Sequence, residues 1–212
     1  MKWHELISLV RDIRVFSVSV LLAGQDSPAN IRRQIDRWVK SGKLIMLRRG
    51  IYRVVAPDVH GRLHPFAVAN RLRKASYVSL QSALAYYGMI PEHAPTTTSI
   101  TTSRPEELDT PDGRFVFRHV KTALFFGYVE REIAPGQPAV IATPEKALLD
   151  LFYLTPGSDA LPYLEELRVE PSSAFDRRVF TDMAVRMGSA KVLRAVTRIL
   201  VLWQRAKEGL PL

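Results

Sequence analysis

Apolar residues recur at helical spacing through the first forty positions, and polar residues separate them into segments. This pattern predicts helices over Lys2–Asp12 and Ser17–Gly24. A third helix is predicted to start at Pro28, with Ser27 as its N-cap, and to end at Ser41-Gly42. Its apolar stripe consists of Ile31, Ile35, Trp38 and Val39. Three short helices in succession are therefore expected.

The next apolar positions form two short runs of a composition that is typical of strands. The segments LIML and IYRV flank Arg48-Arg49-Gly50 and are rich in branched and aromatic residues. Gly50 suits the tight turn between them because glycine readily adopts a positive φ. Three helices followed by a hairpin predict a winged helix-turn-helix domain over residues 1–56.

Proline and glycine mark residues 57–65 as a linker. From residue 66 to residue 212 the pattern predicts helices, then several strands, then helices again. The predicted strands lie in TTTSITTS, RFVFRHV, LFFGYVEREI and QPAVIAT. Thr143 and Pro144 form a strong start signal for the helix that follows. The sequence thus predicts an α+β protein, whose second domain is mixed and has an antiparallel sheet with flanking helices.

Charge is concentrated in the predicted winged helix. The 212 residues carry a formal net charge of +9. Residues 1–56 contain eleven lysines and arginines against four acidic residues, and the remaining 156 residues contain nineteen against seventeen. A polyanionic partner is expected for the first domain. The chain has no cysteine, which excludes disulfides, thiolate catalysis and cysteine-ligated zinc.

The third helix turns a basic face away from its apolar stripe. Arginine can pair bidentately with guanine in the major groove and asparagine with adenine, so this face suits duplex DNA. Arginines of the hairpin would lie on a protruding ribbon and reach a phosphate backbone or the minor groove. The predicted DNA-binding residues are Ser27, Asn30, Arg32, Arg33, Arg37, Lys40, Arg48, Arg49 and Arg53. A merely solvated face is the alternative, and Asp36 within it counts against DNA.

Three segments together resemble the AbiEi-type antitoxins, which are transcriptional regulators of type IV toxin–antitoxin systems. The first is SPANIRRQIDRWVKSGKLIMLRRGIYRV, which is similar to the winged helix that opens those proteins. The others are YVSLQSALAYYGMIPE, Tyr77–Glu92, and VIATPEKALLDLFYL, Val140–Leu154, in the order and approximate spacing of the second domain.

The resemblance implies a protein without enzymatic activity that binds repeats in its own promoter as a repressor. It also implies a functional partner, a nucleotidyltransferase-like toxin encoded beside it, without a stable complex being required. Some relatives are solitary regulators, so the resemblance leaves the presence of a toxin open. No cofactor and no metal are expected, and no motif assigns residues that counter a toxin.

An enzymatic alternative rests on Glu145, Lys146 and Asp150, which could belong to a metal-dependent nuclease targeted by the winged helix. Their place on a predicted helix favours capping and surface pairing instead, because Glu145 and Asp150 do not share a helix face. Ser79 is expected to cap a helix rather than to act as a nucleophile. The five histidines show no metal-ligand spacing.

The chain shows no sign of a membrane or secretory segment. Its first sixteen residues have scattered charges and no apolar core, and no uncharged apolar run approaches 18 residues, so a cytoplasmic protein is expected. The long C-terminal helix is predicted to cover the second domain. A dimer is left open, both on DNA and through a contact made by Trp203 on this helix.

Overall fold

The computed structural model describes residues 1–10, 13–22, 27–55, 63–91 and 95–208. Its helices are α1 (Trp3–Val10), α2 (Val18–Leu22), α3 (Pro28–Lys40), α4 (Pro65–Leu72), α5 (Leu80–Tyr86), α6 (Pro144–Leu154), α7 (Leu161–Glu166), α8 (Arg177–Met187) and α9 (Ala190–Lys207). Its strands are β1 (Val15–Ser17), β2 (Leu44–Arg48), β3 (Ile51–Val54), β4 (Ser76–Val78), β5 (Thr96–Thr101), β6 (Glu106–Thr110), β7 (Gly113–His119), β8 (Tyr128–Ala134) and β9 (Gln137–Ala142). The predicted α+β class is confirmed.

The first 55 residues combine three helices with a three-stranded antiparallel sheet of order β1-β3-β2. The three helices and the hairpin occur in the predicted order. The helix predicted over Ser17–Gly24 begins one residue later, at Val18, because Val15–Ser17 pairs with β3 as a strand. Asp12 and Gly24, where two helices were predicted to end, lie outside the described residues.

A small apolar core holds these elements together. It consists of Leu6, Val10, Phe16, Leu21, Ile31, Ile35, Trp38, Leu44 and Val54. Trp3 packs edge-on against Trp38 with ring centroids 5.2 Å apart, which fixes α1 across α3. The buried residues of α3 fall on the predicted stripe, so its polar face necessarily points outward.

The second part contains a six-stranded sheet of order β6-β7-β5-β4-β9-β8. It is mixed rather than antiparallel as predicted, because β5 pairs with β7 and β4 pairs with β9 in parallel. After β5 the chain forms β6 at the outer edge of the sheet. It then returns as β7, which lies between β5 and β6. The charged strand β6 and the short strand β4 were not predicted.

Helices flank this sheet and bury a large apolar core. α4 packs on β9 and β4, α5 packs on α6, and α8 and α9 pack on α6. Trp203 of α9 is buried, and its indole Nε1 donates to the carbonyl of Val169 at 2.7 Å. The prediction that this helix covers the domain is confirmed. No described helix combines the length and apolarity needed to cross a membrane.

The two parts contact each other through the hairpin side of the first. Val15 and Leu47 belong to the core of the second part, although their neighbours in sequence belong to the first. Most of the predicted linker, residues 57–62, lies outside the described residues, and the helix predicted after it begins at Pro65. The predicted domain boundary remains a prediction.

Candidate nucleic-acid interface

The outward face of α3 carries the basic side chains that the sequence analysis singled out. All six predicted residues of this segment are exposed, namely Ser27, Asn30, Arg32, Arg33, Arg37 and Lys40. Ile31, Ile35 and Trp38, on the opposite face, are buried. The helix therefore presents four cations on a rigid element whose orientation is fixed by its apolar side.

Local contacts orient the start of this helix. Ser27 occupies the N-cap position, as predicted, but its side chain makes no capping hydrogen bond. The guanidinium of Arg33 donates from Nη2 to Oδ1 of Asn30 at 2.6 Å and from Nε to the carbonyl of Ala29 at 3.4 Å. Oδ1 of Asn30 keeps a second lone pair and its amide nitrogen can still donate, so pairing with adenine remains open to this residue.

Within the described residues, no ion pair ties down Arg32, Arg37 or Lys40. Asp36 lies on the same exposed face but is not within ion-pair distance of them. Burial raises the pKa of the Tyr52 phenol on β3, and the charge of Asp36 adds to the shift. Because they form no ion pair, Arg32, Arg37 and Lys40 are available to an external anion.

The tip of the hairpin forms as predicted. Gly50 adopts a φ of +82°, a backbone conformation that is strained for residues with a side chain. Arg49 beside it is exposed and makes no ion pair among the described residues. One basic side chain therefore projects from the tip of the hairpin.

The other two arginines of the hairpin form ion pairs with the second part of the protein. The Arg48 guanidinium lies 3.0 Å from a carboxylate oxygen of Glu106, which Arg73 also contacts. Nε of Arg53 lies 2.8 Å from Oδ2 of Asp112, an ion pair without an aligned hydrogen bond. The prediction that the arginines of the hairpin lie on a protruding ribbon is therefore wrong for Arg48 and Arg53.

Leu47 explains why this hairpin lies against the second part. It is buried in the core of that part, and β2 contacts β6. The partners of Arg48 and Arg53 lie more than fifty residues further along the chain, and nothing in the local sequence pairs them. The DNA-binding role assigned to Arg48 and Arg53 remains a prediction.

The residues of the enzymatic alternative lie in the interior. Lys146 and Asp150 are both 0% exposed and form a buried ion pair. The Asp150 carboxylate also accepts hydrogen bonds from Tyr77 Oη at 3.0 Å and from Ser79 Oγ at 2.8 Å. The interpretation of Lys146 and Asp150 as surface residues is wrong, and Ser79 makes no capping bond. This buried cluster consists of Lys146, Asp150, Tyr77 and Ser79.

Burial dominates the electrostatics of this cluster. It raises the pKa of the Tyr77 phenol, with Asp150 adding to the shift, so the phenol stays protonated. Burial also lowers the pKa of Lys146 and raises the pKa of Asp150, while each partner opposes the shift of the other. All four side chains satisfy one another, which is the condition for keeping polar groups in a core.

The burial of these side chains does not suit a nuclease site. Glu145 is buried and accepts a hydrogen bond from the backbone amide of Asp176 at 2.7 Å. Among the described residues, no group of three or more acidic, histidine or cysteine side chains could hold a metal. A DNA phosphate has no path to Lys146 or Asp150 without local unfolding.

Comparisons with known proteins add little. No family model matches the chain, and no curated protein matches it. Among solved structures, the crystal structure of the Rv2827c protein from Mycobacterium tuberculosis is similar, with a TM-score of 0.47 and 16% sequence identity. The match covers 94% of this chain and 80% of that chain. A similarity at this level does not indicate a function.

Proposed function

We propose that this protein is a sequence-specific DNA-binding repressor whose first 56 residues bind duplex DNA through α3. One observation carries the proposal. Every predicted contact residue of α3 is exposed on one side of a helix whose other side is locked into a core. A helix of this kind suits the major groove, which is wide enough to admit it.

The residues divide into two roles. Arg33 and Arg37 are four positions apart on the outward face, so both can reach base edges in the same groove. Ser27 at the start of the helix suits a phosphate, because the positive end of the helix dipole lies there. Arg32 and Lys40 flank the base-reading positions and can neutralise phosphates on either side.

The wing contributes through its tip. Arg49 is free to reach a phosphate, whereas Arg48 and Arg53 are engaged by Glu106 and Asp112. We therefore assign the wing one sequence-independent contact in the arrangement described here. Release of the hairpin from the second part would add two more.

The DNA-binding proposal predicts a steep salt dependence. The full-length chain is titrated against a labelled duplex from the region upstream of its own gene, at several salt concentrations. Each neutralised phosphate adds about 0.9 to the slope of log K against log salt, so several contacts give a slope of about −3 or steeper. Binding that does not change with salt, or no binding to this DNA, contradicts the proposal.

We further propose that the protein is the autoregulating antitoxin of a type IV toxin–antitoxin system. The resemblance of three segments to the AbiEi-type antitoxins supports this second step. Neutralisation of a nucleotidyltransferase-like toxin is assigned to the second part, residues 66–212, because the basic face lies on the first part. No cofactor is required for either activity.

The antitoxin proposal predicts that the two activities separate. The full-length chain with Arg33→Ala and Arg37→Ala should lose repression of a promoter reporter and still rescue cells that express the neighbouring toxin. Both readouts are taken from the same variant, with the unchanged protein as control. Loss of rescue together with repression would refute the separation. If no toxin-like gene adjoins this gene, only the repressor remains.

A further inference from the structure

Basic side chains also gather at one end of the six-stranded sheet. Lys74 lies just before β4, Arg104 lies between β5 and β6, and Lys121 follows β7 by two residues. All three side chains are exposed. We call this set the basic sheet end.

Strand register brings these positions together. Ser76, at the start of β4, pairs with Thr101 at the end of β5, and Thr101 pairs with His119 at the end of β7. The amide of Val120 donates to the carbonyl of Thr101 at 3.0 Å, and Nδ1 of His119 lies 3.0 Å from the carbonyl of Ser103. The loops that carry Lys74, Arg104 and Lys121 therefore leave the sheet at the same end.

The wing reaches this same end. Arg48 contacts the carboxylate of Glu106, the first residue of β6, and its Nη1 donates to the carbonyl of Leu72 at 3.4 Å. Lys74 follows Leu72 by two residues, and Arg104 precedes Glu106 by two. Arg49 at the wing tip is the direct neighbour of Arg48. The basic sheet end thus continues the basic surface of the wing.

The acids nearby are already neutralised. Arg48 and Arg73 both pair with Glu106, and Arg114 pairs with Glu107. Among the described residues no ion pair involves Lys74, Arg104 or Lys121. A net positive surface with unpaired cations remains beside the wing tip, and it attracts a polyanion.

We propose that the basic sheet end is a second phosphate-binding surface, through which the second part of the protein extends the DNA interface beyond the winged helix. The inference rests on the proposed function, because duplex DNA must first occupy α3 and the wing. Flexible lysines and an arginine without an aromatic or apolar anchor suit a phosphate backbone, which is read as charge alone. An acidic protein partner is the competing occupant.

The test uses the full-length chain and a duplex of about 30 base pairs, about 100 Å long at 3.4 Å per base pair. The variant Lys74→Ala, Arg104→Ala, Lys121→Ala is compared with Arg178→Ala, Arg205→Ala, Lys207→Ala. The control removes the same number of positive charges from exposed positions on α8 and α9, which pack on α6. Thermal unfolding establishes that both variants are folded.

The first variant should bind at least about tenfold more weakly at moderate salt, and its salt slope should fall by about 2 to 3. Operator and random duplexes should be affected alike, because phosphate contacts carry no sequence information. The control variant should stay close to the unchanged protein. If the triple variant does not fold, Lys74→Gln and Lys121→Gln singly should each lower the slope by about 1.

An unchanged affinity and slope would overturn the inference and leave the proposed function standing. An equal loss in the control variant would also overturn it, because net charge alone would then explain the effect. Loss of toxin rescue with unchanged DNA binding would assign the surface to a protein partner instead. If the unchanged protein binds no duplex, the proposed function and this inference fail together.

Discussion

Replacing Asp150 with alanine is expected to lower the free energy of unfolding by about 3–5 kcal/mol, because one member of a buried ion pair is removed and the other is left alone. Lys146 is fully buried and loses its counter-ion. The hydroxyls of Tyr77 and Ser79 lose their acceptor at the same time. The measurement is urea unfolding followed by far-ultraviolet circular dichroism.

Three controls make this prediction specific. Lys146→Met combined with Asp150→Leu should cost less than Asp150→Ala alone, because no uncompensated charge remains. Ser79→Ala removes one donor and should have a smaller effect. Glu107→Ala breaks the exposed pair with Arg114 and should leave the unfolding curve nearly unchanged. An Asp150→Ala protein within about 0.5 kcal/mol of the unchanged chain would contradict the structural role of the cluster.

The burial of this cluster could not be predicted from the sequence. Lys146 and Asp150 stand four positions apart on a helix, which is the spacing of an ordinary surface pair. Their burial is decided by residues far away in the sequence, because Tyr77 and Ser79 lie on the ion pair and Gly127 lies against the Lys146 side chain. Nothing within the segment itself carries that information.

Local patterns gave a correct prediction where a segment is governed by its own residues. α3 was predictable because a start signal, an apolar stripe and a C-terminal glycine all lie within it. The strand β6 was not, because its sequence EELDT is charged and it pairs at a sheet edge with β7. β1 was not predicted either, because its three residues are too few to show an alternation of apolar and polar positions.

The candidate interface divides in the same way. The exposure of Arg33 and Arg37 follows from the helix wheel alone. The engagement of Arg48 by Glu106 depends on a contact across fifty-eight residues and on the burial of Leu47 in the second core. The exposed face of α3 was therefore visible in the sequence, and the contact of the hairpin with the second part was not.

The second large effect is expected for Arg33 and Arg37, the two positions proposed to read bases. Arg33→Ala combined with Arg37→Ala should remove most of the discrimination between operator and random DNA. A bidentate arginine–guanine pair is worth about 1–3 kcal/mol, or about 5- to 150-fold for each arginine that makes one. Both side chains are exposed on α3, so the substitutions should leave the fold intact.

Arg49→Ala is the matched control for this prediction. It removes an exposed arginine from the same domain, at the wing tip rather than on the helix. It should weaken operator and random DNA alike, because a phosphate contact carries no sequence information. The ratio of the two affinities should therefore stay unchanged.

Competition binding with the full-length chain tests the central claim most directly. A labelled duplex from the region upstream of the gene is displaced by unlabelled operator or by random DNA at one fixed salt concentration. The account predicts strong discrimination by the unchanged protein and by Arg49→Ala, and little by Arg33→Ala with Arg37→Ala. Full discrimination by the double variant, or its loss in Arg49→Ala alone, would contradict recognition through α3.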